Sequence, residues 1–153
     1  MKILVSACLL GENCKYSGGN NYNQAVCDFA RGHQVVPVCP EVLSGLPTPR
    51  CPAEIVQGVV TNKEGINVDR EFRAGAAKAL AIAKENGVEL AVLQSRSPSC
   101  GVKEIYDGTF SGTKIPGQGV FAKMLMDEGI RVLDAGELPK IILKNEDGKC
   151  QSD

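Results

Sequence analysis

Four short runs of the chain are continuously apolar and rich in β-branched residues, and polar segments or helical patterns separate them. An apolar run without alternation, bounded by turn residues, is typical of a strand buried on both faces of a parallel sheet. The pattern therefore predicts four core strands, over residues 2–7, 34–38, 89–93 and 131–134. Residues 59–61 and 109–110 add two short pieces that suit an edge strand or a hairpin.

Helical patterns alternate with these strands. We expect helices over residues 23–31, 70–85 and 119–128, the second rich in alanine and each followed by a glycine within two residues. Strand and helix in alternation indicate an α/β fold, specifically a Rossmann-like three-layer sandwich with a mostly parallel central sheet. Residues 39–52 are proline-rich and read as a loop. The predicted organisation is a single α/β domain over 1–140 and a polar tail over 141–153.

Composition narrows the class of protein. With 153 residues, 43% hydrophobic and 23% charged, the chain is typical of a folded globular domain. A formal net charge of -1 without a Lys/Arg cluster argues against a partner that is a nucleic-acid polymer. The apolar start is too short for a signal peptide or a membrane span, so we expect a cytoplasmic protein with no membrane partner, either monomer or homodimer.

Seven cysteines are many for a reducing compartment, and their odd number and wide spacing argue against a disulfide framework. Three of them follow predicted strands: Cys8 after the first, Cys39 after the second and Cys100 a few residues after the third. The carboxyl ends of parallel strands share one edge of a sheet, where ligand crevices open. We therefore expect these three thiols to lie close together.

Three thiolates leave one coordination position of a metal group open. Structural zinc sites normally use four ligands and often a C-x-x-C pair, which is absent here, whereas an iron–sulfur cluster with three protein ligands keeps one iron open as a Lewis acid. The alternatives are a zinc site or three thiols that only pack. Simple packing is the expected role of Cys27, Cys51 and Cys150, while Cys14 is either a fourth ligand or a neighbour.

The motifs SACLLG, KYSGG, VPVCPEVLSGLPTPR, SRSPSCG and GQGVFA together resemble the short form of the thiouracil desulfidase family, formerly a domain of unknown function. The resemblance runs from Lys2 to about Leu138. It implies a [4Fe-4S] cluster bound by Cys8, Cys39 and Cys100, whose fourth iron takes the sulfur of a thiolated pyrimidine. Position 51 departs from the pattern, because the family more often has proline there.

The implied reaction is a non-redox, hydrolytic desulfuration of a thiolated nucleobase or nucleoside that gives the oxo-base and hydrosulfide. Glu41, two residues after Cys39, is the candidate general base for water. Either Ser97 or Ser99 is a candidate hydrogen-bond donor to the substrate, and we favour Ser97, because Ser99 adjoins the ligand and is expected only to orient it. Arg50 is either a surface residue or a cation that grips the cluster or a phosphate.

Two further expectations concern positions outside this set. The Gly117-Gln118-Gly119 sequence opens a helix and is a weak candidate for binding an anion through backbone N–H groups. His33 precedes the second strand and is expected to be structural. The main alternative function is an iron–sulfur sensing or small-molecule-binding module without turnover, which would not need a general base beside a ligand.

Overall fold

The computed structural model describes residues 1–138, and the predicted tail over 141–153 lies outside the described residues. Within these described residues the chain forms eight strands and four α-helices in a mixed α/β order. The strands are β1 (Lys2–Ser6), β2 (Gln34–Val38), β3 (Ala53–Val56), β4 (Val59–Asn62), β5 (Leu90–Leu93), β6 (Glu104–Tyr106), β7 (Lys114–Pro116) and β8 (Arg131–Asp134). The helices are α1 (Gln24–Ala30), α2 (Pro40–Leu43), α3 (Asp69–Glu85) and α4 (Val120–Asp127), with 3₁₀ turns at Ala7–Leu10 and Ala135–Glu137.

The central sheet contains the four predicted core strands in the order β2-β1-β5-β8, and every pairing in it is parallel. Leu4 of β1 lies between Val36 of β2 and Ala91 of β5, which fixes the register. The chain crosses over from β2 to β5 on the far side of β1. This change of direction makes the carboxyl ends of β1 and β5 the switch point where a parallel sheet opens a crevice.

Each face of the sheet has its own apolar cluster, so the molecule has three layers. On one face, Leu4, Ala91 and Leu93 pack against α3 and α4. On the other, Ile3, Val5 and Val92 pack against α1 and the two 3₁₀ turns. Alternate side chains of one strand point to opposite faces, and the continuous apolar runs supply both clusters. The predicted Rossmann-like α/β sandwich is confirmed.

Local sequence explains the helices. Asn23 caps α1 by accepting a 3.1 Å hydrogen bond from the backbone N–H of Val26. In α3 the buried positions follow a helical stripe of small residues that ends at Ala83, and its one large member is Phe72. Small side chains let neighbouring backbone approach α3 closely.

No helix within residues 1–138 is long and apolar enough to cross a membrane.

Two antiparallel hairpins, β3–β4 and β6–β7, lie outside the central sheet. Both stretches expected to belong to an edge strand or a hairpin lie in these hairpins: residues 59–61 in β4, and residues 109–110 in the turn between β6 and β7. Glu54 of β3 joins the hairpins by accepting hydrogen bonds from the backbone N–H groups of Gly108 at 2.9 Å and Phe110 at 3.1 Å. Residues 40–43, expected as loop, form the short helix α2.

Candidate active site

The first two predicted thiols follow adjacent parallel strands directly. Cys8 lies in the 3₁₀ turn that continues β1, and Cys39 is the residue between the end of β2 and the start of α2. Pro40 occupies the first position of α2, where its missing N–H leaves no hydrogen bond unmade. The turn of backbone at Cys39 sets Glu41 in the first turn of α2, on the same edge of the sheet.

The third thiol is held by a compact loop after β5. Ser97 Oγ accepts hydrogen bonds from the backbone N–H groups of Ser99 and Cys100, both at 3.0 Å, and the Gly101 N–H donates to the Ser97 carbonyl at 2.9 Å. These bonds wind residues 97–101 into a turn that buries the Cys100 side chain. The serine-rich sequence therefore shapes the loop that carries the thiol.

The start of α4 packs against this loop. The N–H of Val120 donates to the Pro98 carbonyl at 2.8 Å, and the N–H of Phe121 donates to the Ser99 carbonyl at 2.9 Å. A Cβ on Gly119 would lie 2.5 Å from the Ser99 carbonyl carbon, so only glycine permits this approach. The idea that Gly117 to Gly119 bind an anion is wrong, because the helix N-terminus is already satisfied by the loop carbonyls.

Cys8, Cys39, Cys100 and Glu41 line the same cavity, which has a volume of about 470 Å³. Aromatic and cationic side chains also line the cavity, among them Tyr16, Tyr106, Phe110, Lys15, Lys63 and Arg96. A cavity of this size accommodates a small organic molecule in addition to a group bound at the thiols. The sheet topology thus brings together three thiols that are 31 and 61 residues apart in the chain.

The thiols influence one another electrostatically. Burial raises the pKa of Cys8, a hydrogen bond from the Asn21 side-chain amide opposes that effect, and the charges of Cys39 and Glu41 raise it further. Burial also raises the pKa of Cys100 well above its usual value, opposed by a hydrogen bond with Ser6 and reinforced by Cys39 and Cys8. Three thiolates here would repel one another. A positively charged metal group bound to them would offset this repulsion, so the donor set suits such a group.

Within residues 1–138, no group of three or more His, Cys, Asp or Glu side chains has the geometry that holds a single metal ion. An iron–sulfur cluster presents a separate iron to each thiolate, so its ligands do not need to converge on one point. A mononuclear zinc site draws its ligands into one tetrahedron, and no group of side chains within residues 1–138 provides one.

Both oxygens of the Glu41 carboxylate are held by other side chains. Arg50 donates to Oε1 from Nε at 3.0 Å, its Nη2 lies 3.0 Å from the same oxygen in an ion pair, and the Ser99 hydroxyl donates to Oε2 at 2.7 Å. The Arg50 side chain is 6% exposed and that of Glu41 15%, so this ion pair is shielded from water. Arg50 also donates to the backbone carbonyls of Cys14 and Pro47 and to the hydroxyl of Thr48.

The structure changes the role expected for one of the two serines. Ser99, expected only to orient Cys100, is buried and is bonded to Glu41. Ser97 is half-buried on the cavity wall, where its oxygen accepts two N–H groups. Arg50 is neither a surface residue nor a free cation, because it is buried against Glu41. No local signal links Ser99 or Arg50 to Glu41, since the residues meet only in the folded chain.

Cys14 also lies on the cavity wall, beside Cys39, while Cys27 and Cys51 do not line the cavity. The Cys27 thiol hydrogen-bonds with the Leu9 carbonyl at 3.9 Å. His33 stacks on Phe29 with ring centroids 5.4 Å apart, at the opposite edge of the sheet from the thiols.

Comparison with known proteins identifies the family. The model of a family described as 2-thiouracil desulfurase matches residues 3–137 of this chain. The chain belongs to the 2-thiouracil desulfurase family. Among its relatives is an uncharacterized protein of Bacillus subtilis (strain 168), YbbK, which is 41% identical over 150 residues, covering 92% of this chain and 99% of the relative.

A solved structure of a second member has the same fold. It is described as a [4Fe-4S]-dependent thiouracil desulfidase, TudS, and it is 39% identical to this chain. The two structures superpose with a TM-score of 0.84 over 95% of this chain and 97% of that one. The cavity with three thiols and a held carboxylate is therefore found on the fold of a 2-thiouracil desulfurase.

Proposed function

We propose that this chain hydrolyses the C=S group of a thiolated pyrimidine, as free base or nucleoside, to the oxo-base. Water supplies the new oxygen, the C–S bond breaks, and hydrosulfide and a proton leave, so that no electrons are exchanged with a redox partner. The main observation behind the proposal is that three thiols and the Glu41 carboxylate, held by Arg50 and Ser99, line one cavity of about 470 Å³. Family membership supports it.

Cys8, Cys39 and Cys100 are the residues that would hold a [4Fe-4S] cluster. Such a cluster, when bound by three thiolates, supplies a Lewis-acidic iron that attracts a soft thiocarbonyl sulfur and makes the ring carbon more electrophilic. The donor set supports this assignment, because burial and, to a lesser degree, the neighbouring thiols raise the pKa of Cys8 and of Cys100, and a cationic partner would offset both effects.

Glu41 takes the proton of the attacking water. Its carboxylate faces the cavity while Arg50 and Ser99 hold its two oxygens, so the side chain has little freedom to rotate away. A positioned carboxylate accelerates proton transfer because the cost of orienting it has been met on folding. A sensor without turnover has no use for such an arrangement, which favours the enzyme over the sensing alternative.

Ser97 donates a hydrogen bond to the substrate. Its oxygen accepts the N–H groups of Ser99 and Cys100, which leaves the hydroxyl proton as the group it offers to the cavity. A ring nitrogen is a suitable acceptor, because the negative charge that develops when water attacks the ring carbon is carried by the heteroatoms attached to it. Tyr106 and Phe110, which also line the cavity, provide apolar surface for the pyrimidine ring.

The deciding experiment begins with anaerobic reconstitution of the full chain with iron and sulfide. We expect the broad absorption of an iron–sulfur cluster, about four iron atoms per chain, and release of hydrosulfide from 4-thiouracil. Alanine at Cys8, Cys39 or Cys100 is expected to abolish iron binding. Glu41→Gln is expected to keep the iron and lower turnover by about 100-fold or more.

Cys27→Ala is the matched control, because this half-buried cysteine lies away from the cavity and its loss should leave both iron content and turnover unchanged. Iron uptake without hydrosulfide release would support the sensing alternative instead. Absence of iron uptake by the unmodified chain would contradict the cluster assignment altogether.

A further inference from the structure

Cys14 is a thiol in the cavity that the proposed reaction does not use. It lines the wall next to Cys39 and is half-buried, so small solutes in the cavity reach it. Burial first, then the neighbouring thiols of Cys39 and Cys8 and a hydrogen bond with the Cys39 thiol, raise the pKa of Cys14 to about 12. Cys14 and Cys39 are therefore direct neighbours although they lie 25 positions apart in the chain.

The backbone holds Cys14 in this position. Its carbonyl accepts a 2.8 Å hydrogen bond from the buried Arg50 guanidinium and lies 3.9 Å from the Cys39 sulfur. Its N–H donates to the Glu12 carbonyl at 2.9 Å. Hydrogen bonds of both its N–H and its carbonyl thus fix the backbone of Cys14 next to the Cys39 sulfur.

We propose that Cys14 and Cys39 form a reversible disulfide when the site is without its cluster, and that this bond prevents cluster loading until it is reduced. One of the two sulfurs takes an oxygen atom from a peroxide, which gives a sulfenic acid and one molecule of water (or alcohol). The second sulfur then displaces that hydroxyl as water. The two sulfurs lose two electrons in total, and the O–O bond of the peroxide is reduced.

The disulfide also protects Cys39. A sulfenic acid without a neighbouring thiol goes on to sulfinic and sulfonic acids, which thiol reductants do not reverse. Cys14 intercepts the sulfenic acid while it is still reversible. The effect on cluster loading rests on the proposed function, because it requires Cys39 to be a ligand, whereas formation of the disulfide in the metal-free chain does not.

The first test maps the bond in the metal-free full chain after treatment with hydrogen peroxide. We expect a mass loss of two hydrogen atoms and a peptide pair that links Cys14 to Cys39. Cleavage after Glu12 and Lys15 separates Cys8 from Cys14, so the two possible partners are distinguished. The linked pair should persist in Cys8→Ser and disappear in Cys14→Ser. A link from Cys8 to Cys39, or no link at all, would overturn the proposal.

The second test measures iron content after peroxide treatment and anaerobic reconstitution. The treated wild-type chain should bind no iron until dithiothreitol is added, and should then recover its full iron content. The treated Cys14→Ser chain should fail to recover, because its Cys39 is oxidised irreversibly. Cys27→Ser is the control and should behave like the wild type. Equal recovery of Cys14→Ser and wild type would refute the protective role, whatever the turnover of either protein with 4-thiouracil.

Discussion

Replacing Gly75 by alanine tests whether the close packing of α2 on α3 positions the active site. Gly75 lies in the middle of α3, where a Cβ would be only 2.0 Å from the Pro40 carbonyl oxygen and 2.9 Å from Ser44. Pro40 is the residue between Cys39 and Glu41. The first turn of α2 must therefore move away from α3 to admit the methyl group, and both site residues move with it.

The size of the effect follows from two opposing contributions. Alanine in place of glycine within a helix stabilises the fold by up to about 1 kcal/mol. Overpacking of a close contact costs about 1–3 kcal/mol. Ordinary C···O contacts are about 3.3 Å or longer, so the Pro40 carbonyl must move by more than about 1 Å. We expect Gly75→Ala to lower the free energy of unfolding by about 1–2 kcal/mol.

A displacement of about 1 Å at a catalytic group lowers turnover by about 100-fold. Urea unfolding measures the stability, and hydrosulfide release from 4-thiouracil measures the turnover of the reconstituted enzyme. Gly19→Ala is the control, because a Cβ there meets nothing closer than 3.6 Å. If Gly75→Ala were as stable and as active as wild type, α2 would not depend on this contact and the reasoning would be refuted.

Two further predictions concern charged side chains. Arg50→Lys should keep the iron content but lower kcat by about 10-fold or more with little change in KM. The reason is that lysine cannot hold Glu41 through two nitrogens. Wild-type kcat in this variant would show that Arg50 does not position the carboxylate. Burial raises the pKa of Asp69, but hydrogen bonds from Arg73 and from the Val60 N–H outweigh it and hold the pKa below its usual value. Asp69 therefore stabilises the fold above its unfolded pKa, and this contribution is lost as the pH falls through the lower folded pKa. Asp69→Asn should be less stable than wild type at neutral pH by up to about 1 kcal/mol in urea unfolding, and the difference should shrink as the pH falls through the folded pKa of Asp69. A difference that does not change with pH would contradict the assignment.

The hydrophobic pattern was sufficient for the central sheet and its layers. All four core strands begin and end within about one residue of the predicted positions. A short, continuously apolar run is well buried as a strand with both faces covered in a parallel sheet, so its ends are easy to read from the sequence. The short strands at residues 104–106 and 114–116 were not predicted. Each has three residues and no apolar run of its own. The two strands are stabilised by pairing with each other and by the contact of the first with β3.

Sequence alone also determined which thiols share one edge of the sheet, because topology places the ends of parallel strands together. Only the tertiary structure decided what surrounds them. Ser99 and Glu41 are 58 residues apart and Cys14 and Cys39 are 25 apart, and each pair meets through loops that carry no periodic pattern. A side-chain contact between loops depends on how both backbones turn, and hydrogen bonds and packing across the whole fold decide this.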